Sequence, residues 1–400
     1  RRTFTISFWV KRSRLNDRQA IFSASADGSN ECFIWFDTND ELFVKENTSN
    51  STNFEIRTNR KFRDAGAWYH IVVAYDTTNG TAGNRVRIYV NGVEETSFAN
   101  ETQPDENFQT KFNDGSTTLN IGRMNYNSEY LGGYLAEATL IDGLQLTPSS
   151  FGEFKNDIWI PKNTSGLTFG TNGLRLQFKQ SGTGTASTST IGADTSGNNN
   201  HLTSVNLVAS DVIIDSPTNN FCTPNGIDNM NWLSQGLNRV TRTEGNLQMS
   251  GDSWITKSTF GMFTGKWYWE VRLEGGAVTA GIHLIDGLQD THHAYYYYGY
   301  TANNIYKYAG NATLFDGSSV AANSILGVAF DADNLTLQYF IANSSIHTVS
   351  DVDAGSYSPS FGTAASSTLQ VNFGQDSSFA GNETAQGNAD GNGIGDFYYA

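Results

Sequence analysis

In Trp267-Tyr268-Trp269-Glu270-Val271-Arg272-Leu273, apolar and polar residues alternate: Trp267, Trp269, Val271 and Leu273 fall on one side, and Tyr268, Glu270 and Arg272 on the other. This period of two marks a strand with one buried face, and a face so rich in aromatic rings needs a second sheet against it. Asp331-Ala332-Asp333-Asn334 then separates the apolar run Leu326–Phe330 from Leu335–Phe340, which predicts a hairpin through a polar, turn-competent tetrapeptide. The chain around these segments must therefore fold as a β-sandwich.

The same grammar governs residues 1 to about 155. Thr3–Val10, Trp68–Asp76 and Val86–Val90 read as strands, and Asn39-Asp40 and Asn91-Gly92 supply hairpin turns. Aromatic residues make up 13% of the chain, Gly numbers 40 and Met 4, and no long segment has helical periodicity. These features predict an all-β chain of twisted antiparallel sheets. At 400 residues it exceeds what one core supports. We read a sandwich over 1–155, a connector over 156–235 and a second sandwich over 236–400. The connector contains the Gly/Ser/Thr/Asn run 181–201, with the strand-like Leu174–Phe178 and Val212–Ile214 on either side. Trp9, Trp68, Ile71, Val73 and Tyr89 are expected in the first core, and Trp267, Trp269, Val271, Val328, Phe330 and Phe373 in the second.

Lys and Arg total 25 against 40 Asp and Glu, a formal charge of -15, and only 16% of residues are charged. Duplex nucleic acid is a poor partner for such a chain, because counterion release needs clustered cations and only Arg1, Arg2, Lys11, Arg12, Arg14 and Arg18 approach a cluster. Cys32 and Cys222 lie in different segments and read as two small buried hydrophobes. No apolar run reaches the length of a membrane span, so no membrane insertion is expected. Sequons such as Asn47, Asn100, Asn311 and Asn382 arise by chance in a chain this rich in Asn, Ser and Thr.

Three resemblances follow from these segments. GKWYWEVRLEGG, AGIHLID, SILGVAFDADNLTLQYFIANSS, YSPSFG and LQVNFGQ stand in the order of the SPRY domain, which resembles concanavalin-like sandwiches used for recognition. Where that family places Gly, this chain has Asp333-Asn334; Asn tolerates the left-handed backbone such a turn uses. Trp68–Asp76 followed by Arg87-Ile88-Tyr89-Val90-Asn91-Gly92 resembles the laminin G-like, concanavalin A-like fold, with Gly122, Gly133 and Ala138–Leu140 continuing its order. This likeness, with a strand at full strength from Thr3, implies a further strand ahead of Arg1 and hence a fragment. FGEF, IWIPK, GTNGLRLQF, DTSGNNNHLT, DSPTNNF and the terminal GDFYYA resemble phrases of tail-fibre and adhesin proteins of marine bacteriophages. This third likeness implies a virion location, other virion proteins as partners and homo-oligomers, trimers among them.

For ligands, His292-His293-Ala294-Tyr295-Tyr296-Tyr297-Tyr298, with Tyr306 and Tyr308, is the densest aromatic stretch. His292, His293, Tyr295, Tyr297, Tyr306 and Tyr308 are its candidate binding residues, since Tyr offers a flat apolar face and a hydroxyl. On a strand only the outward half can meet a ligand; the inward half belongs to the core. Asp194–Asn200 is rich in oxygen ligands for Ca²⁺, yet lacks the spacing and bidentate Glu of a dedicated loop and reads as a turn; no cofactor is assigned. The chain contains no nucleophile elbow, His-Glu-x-x-His helix or phosphate loop, so no residue receives a catalytic role. The expectation is two concanavalin-like antiparallel β-sandwiches of jelly-roll type in a non-enzymatic virion fibre or adhesin that recognises a host surface glycan or protein. A capsid-surface knob and a polysaccharide-degrading tailspike are the alternatives, with a secreted cellular lectin third.

Overall fold

The structure, a computed structural model, describes residues 1–112, 117–125, 129–227, 240–251, 253–286, 294–299, 303–307, 312–317, 320–364 and 367–399. It is all-β: among the described residues helix is confined to short 3-10 turns, and none is long and apolar enough to cross a membrane. The chain divides into two compact units, Arg1–Val212 with Ser216–Thr218, and Ile213–Asp215 with Asn219–Ala400.

The first unit is a sandwich of two antiparallel sheets. One runs, in spatial order, Leu174–Leu176, Gly133–Asp142, Thr3–Arg12, Trp68–Asp76, Val86–Val90, Val93–Glu94; the other runs Thr118–Ile121, Gln19–Asp27, Asn30–Phe36, Glu41–Thr48, Ser51–Lys61, Phe98–Thr102. Phe4, Ile6, Phe8, Ile34, Ile71, Val73 and Ile88 meet between them. Most of the stretch read as a connector contributes to this unit: Leu174 and Leu176 extend the first sheet beside Leu140 and Ala138, and Ile158–Pro161 forms a hairpin with Gly152–Lys155.

Ile71 and Val73 lie in the expected core, but Trp9, Trp68 and Tyr89 do not pack between the sheets. They are buried all the same, because the outer face of the first sheet is covered too. Val72, Ala74, Tyr89, Ile141, Phe151 and Phe169 make a second apolar cluster there. Beside it Trp9 stacks on His70 with centroids 4.6 Å apart. The uninterrupted run Ile71-Val72-Val73-Ala74 fits a strand buried on both faces. The Asn91-Gly92 turn forms as expected, with both residues at positive φ, and a Cβ on Gly92 would stand 2.7 Å from the Trp159 ring, so this turn needs its glycine twice over.

The second unit pairs a sheet of Thr241–Thr243, Gln248–Ser250, Thr368–Asn372, Lys266–Gly275, Ser324–Asp331, Thr336–Ile341, Ser344–Val349 with one of Ser253–Lys257, Tyr357–Thr363, Val278–Leu284, Ala294–Gly299, Asn303–Lys307, Ala312–Gly317. Trp269, Val271, Val328 and Phe330 lie in its core as expected, whereas Trp267 and Phe373 are half-buried at its margin. The hairpin at Asp331 forms, with Asp331 Oδ1 accepting from the amides of Asp333 and Asn334. The left-handed residue is Leu335, at φ 51°, and not Asn334, because the Asp331 carboxylate holds Asn334 inside the turn and passes the reversal one residue on.

Candidate functional site

Of the predicted tyrosine platform, Tyr295 and Tyr297 are core residues, with exposures of 1% and 0%. Tyr297 packs on Tyr339 of the opposite sheet, and the Tyr295 hydroxyl accepts from the amide of Asp353. Their assignment to a surface site is corrected: strand Ala294–Gly299 turns this half of its alternation inward. Tyr306 is described only by its place on Asn303–Lys307, opposite Tyr296. His292, His293 and Tyr308 lie outside the described residues.

The loop Asp194–Asn200 is satisfied from within. Asp194 Oδ1 accepts from the amides of Arg175 and Ser196, and Oδ2 from Ser196 Oγ and the amide of Asn200, all at 2.8–2.9 Å. These donors stabilise the ionised form and hold its carboxyl below the usual range against the effect of burial. Among the described residues no group of three or more His, Cys, Asp or Glu could hold a metal ion.

Ser7 and His70 in the first unit have the contact of a nucleophile and its base, Oγ to Nε2 at 2.9 Å, but solvent reaches neither residue. His70 Nδ1 accepts from Trp159 Nε1–H at 3.0 Å, so Nε2 carries the proton and donates to Ser7. Burial pushes this imidazole down to about 3, and it stays neutral. The pair fastens the 152–161 hairpin.

A groove of about 870 Å³ opens in the second unit at the Gly265–Trp269 end of its central strand. One wall is the loop entering that strand. Met262 bonds across to the Tyr357 carbonyl, Gly265 N donates to Asp333 Oδ1 and Trp267 Nε1 donates to the Thr264 carbonyl, so the half-buried Trp267 ring is held in place. The opposite wall is the segment 389–399. The Asp390 turn, whose Oδ1 accepts from the amides of Asn392, Ile394 and Gly395, leads to Phe397, and the Phe397 ring meets Tyr268 edge-on at 5.2 Å. Asn219, Asn220, Asn343 and Asn392 also line it. Among the described residues that line it, Lys266 and Asp390 are the only charged ones, and the amides around Asp390 hold its carboxyl below the usual range, hence ionised.

Sequence reasoning missed this groove because its far wall is irregular chain without periodicity. A signal was present in Asp390-Gly391-Asn392-Gly393, which reads as a turn aimed by its glycines.

Residues 1–149 match the family described as Concanavalin A-like lectin/glucanases superfamily (Laminin_G_3). Among solved structures, the SPRY domain of human HERC1 is similar at 14% identity, covering 31% of this chain and 87% of that one, with a TM-score of 0.27. The TRIM65 PSpry domain is similar at 13% identity, covering 38% of this chain and 88% of that one, with a TM-score of 0.32. No curated protein matches the chain. Over residues 1–149 the chain is thus similar to the laminin G-like, concanavalin A-like family, and the antiparallel sandwich these residues build agrees with that class.

Proposed function

We propose that this chain is a non-enzymatic recognition protein of a virus particle, a tail fibre or adhesin, and that the groove beside Trp267 binds a host surface glycan. The observation that carries this reading is the lining: among the described residues it combines half-buried rings for stacking, asparagines and a single carboxylate. Hydrolysis of a glycosidic bond uses two carboxyl groups across the scissile bond, and Asp390 stands alone among the lining residues. A particle protein of charge -15 meeting an anionic cell surface gains more from stacking and amides than from charge. The virion assignment rests on the resemblance of the 151–221 phrases to phage fibre proteins. In that setting homo-oligomers and virion partners supply many copies, and multivalency raises avidity ~10²–10⁴-fold over a weak single site.

The test is a glycan array and a host-adsorption assay with Trp267→Ala and Asn343→Ala. Loss of glycan binding and adsorption, with the fold retained, is the expected result. Binding to surface protein alone would change the ligand class, and release of sugar abolished by Asp390→Asn would replace the reading with a polysaccharide-degrading tailspike.

A further inference from the structure

Glu270 sits mid-strand at a position the alternation assigns to solvent, yet it is fully buried. Its cover includes residues 398 and 399. Oε1 accepts from Tyr268 Oη at 3.1 Å and from the Tyr399 amide at 2.8 Å; Oε2 accepts from Asn372 Nδ2 at 3.1 Å and from the Tyr398 amide at 2.9 Å. Desolvation holds this carboxyl above its usual range, and the four donors, which favour the ionised form, offset that in part. Further bonds fasten the segment upstream: Arg272 Nε donates to Glu383 at 2.8 Å, and Ser377 Oγ to Asp396 Oδ1 at 2.5 Å. The last residues of the groove wall, Phe397 and Tyr399, are tied to the central strand through Glu270 and the Tyr268 ring.

We propose that Glu270 is the positioning residue of the groove, its carboxylate latching residues 389–399 as the second wall so that a ligand is enclosed between strand and strap. The inference rests on the groove being the binding site. Bonds to a buried charge are about twice as strong as neutral ones, and donors left without their acceptor favour an opened, hydrated strap.

The full chain carrying Glu270→Ala, Glu270→Gln or Tyr268→Phe tests it with three readouts. The first is hydrogen exchange of the 389–399 amides. The second is reaction of Cys222, which lines the groove, with dithiobis(nitrobenzoate), the fully buried Cys32 of the other unit serving as the silent reference. The third is affinity for whichever array glycan the unaltered chain binds most strongly. Loss of bonds to a charge should raise exchange and Cys222 labelling roughly tenfold or more in the Glu270 variants and less in Tyr268→Phe, with glycan affinity falling in the same order and the 324–331 amides still protected. If Glu270→Ala does not fold, the other two variants give the same ranking. Unchanged strap protection overturns the latch. Weakened protection with unchanged affinity overturns the positioning role if Trp267→Ala still abolishes binding; if Trp267→Ala is equally silent, the groove itself is not the site.

Discussion

Trp68–Asp76 and Lys266–Gly275 hold matching central places in their sheets, and both are covered on two faces, by opposite chemistry. The outer face of the first is closed by rings and aliphatic chains: Trp9, Trp159, Phe151 and a neutral His70. That of the second is closed by a carboxylate, an Arg272–Glu383 ion pair and Asn372, whose amide also reaches the Asp396 carbonyl. An apolar cover contributes in proportion to the area it removes from water, and losing one part leaves the rest in place. A polar cover is worth little until every donor is met, and then it is specific. The first unit should therefore resist change smoothly, and the second should open at one place.

The largest expected effect sets the baseline. Trp269→Ala, in the second core, should cost about 3–5 kcal/mol and lower the second unit's transition. Calorimetry should find the first unit's transition where it was; a joint shift would mean that the units do not melt independently and would break the comparison.

Next come the covers themselves. His70→Ala strands Ser7 and Trp159 in a dry stack and leaves a cavity, so it should reduce global stability by about 2–4 kcal/mol. Glu270→Ala should cost less globally, because the strap lifts and water meets the freed donors. Equal losses in chemical denaturation, with no local opening by hydrogen exchange, would erase the distinction.

A third test uses pH. Glu46 is fully buried inside the first sandwich beside Cys32, and desolvation pushes its carboxyl up to about 7. A carboxyl whose folded value is raised holds more protons folded than unfolded, so its stability is fully present below the ordinary value near 4.5 and is lost as pH rises toward 7. The loss should be on the order of 3 kcal/mol. Melting the first unit across this window should reveal the decline, and Glu46→Gln should flatten it; an unchanged slope in the variant would place the proton elsewhere.

The smallest effect is at the surface. Arg14 and Asp17 pair at 3.1 Å with side chains about half exposed, and Asp17→Asn should change stability by under ~0.5 kcal/mol, less still in salt. A larger effect by denaturant titration would give exposed pairs a weight that the two covers are argued to carry.

Strand positions and turns were legible because period and turn chemistry are local: Asn91-Gly92, the Asp331 turn and the inward set Trp269, Val271, Val328 and Phe330 follow from spacing alone. What covers an outward face is not local. Ile71-Val72-Val73-Ala74 announces burial on both sides by having no polar face, whereas Tyr268-x-Glu270-x-Arg272 reads as solvent-facing because its partners stand more than a hundred residues away in irregular chain. For the same reason Tyr295 and Tyr297 gave a density of rings without its direction, and the groove, built from loop and tail, left little to count.

Two of the four donors on Glu270 are main-chain amides, those of Tyr398 and Tyr399, which any residue but proline supplies. The fastening is thus blind to side-chain identity at the place where side chains face the groove. Substitutions at Ala389, Asn392 or Tyr399 can change what the groove meets while the wall keeps its seat. On the proposed reading of the groove as a binding site, such a wall lets the lining change while the fold that holds it is kept.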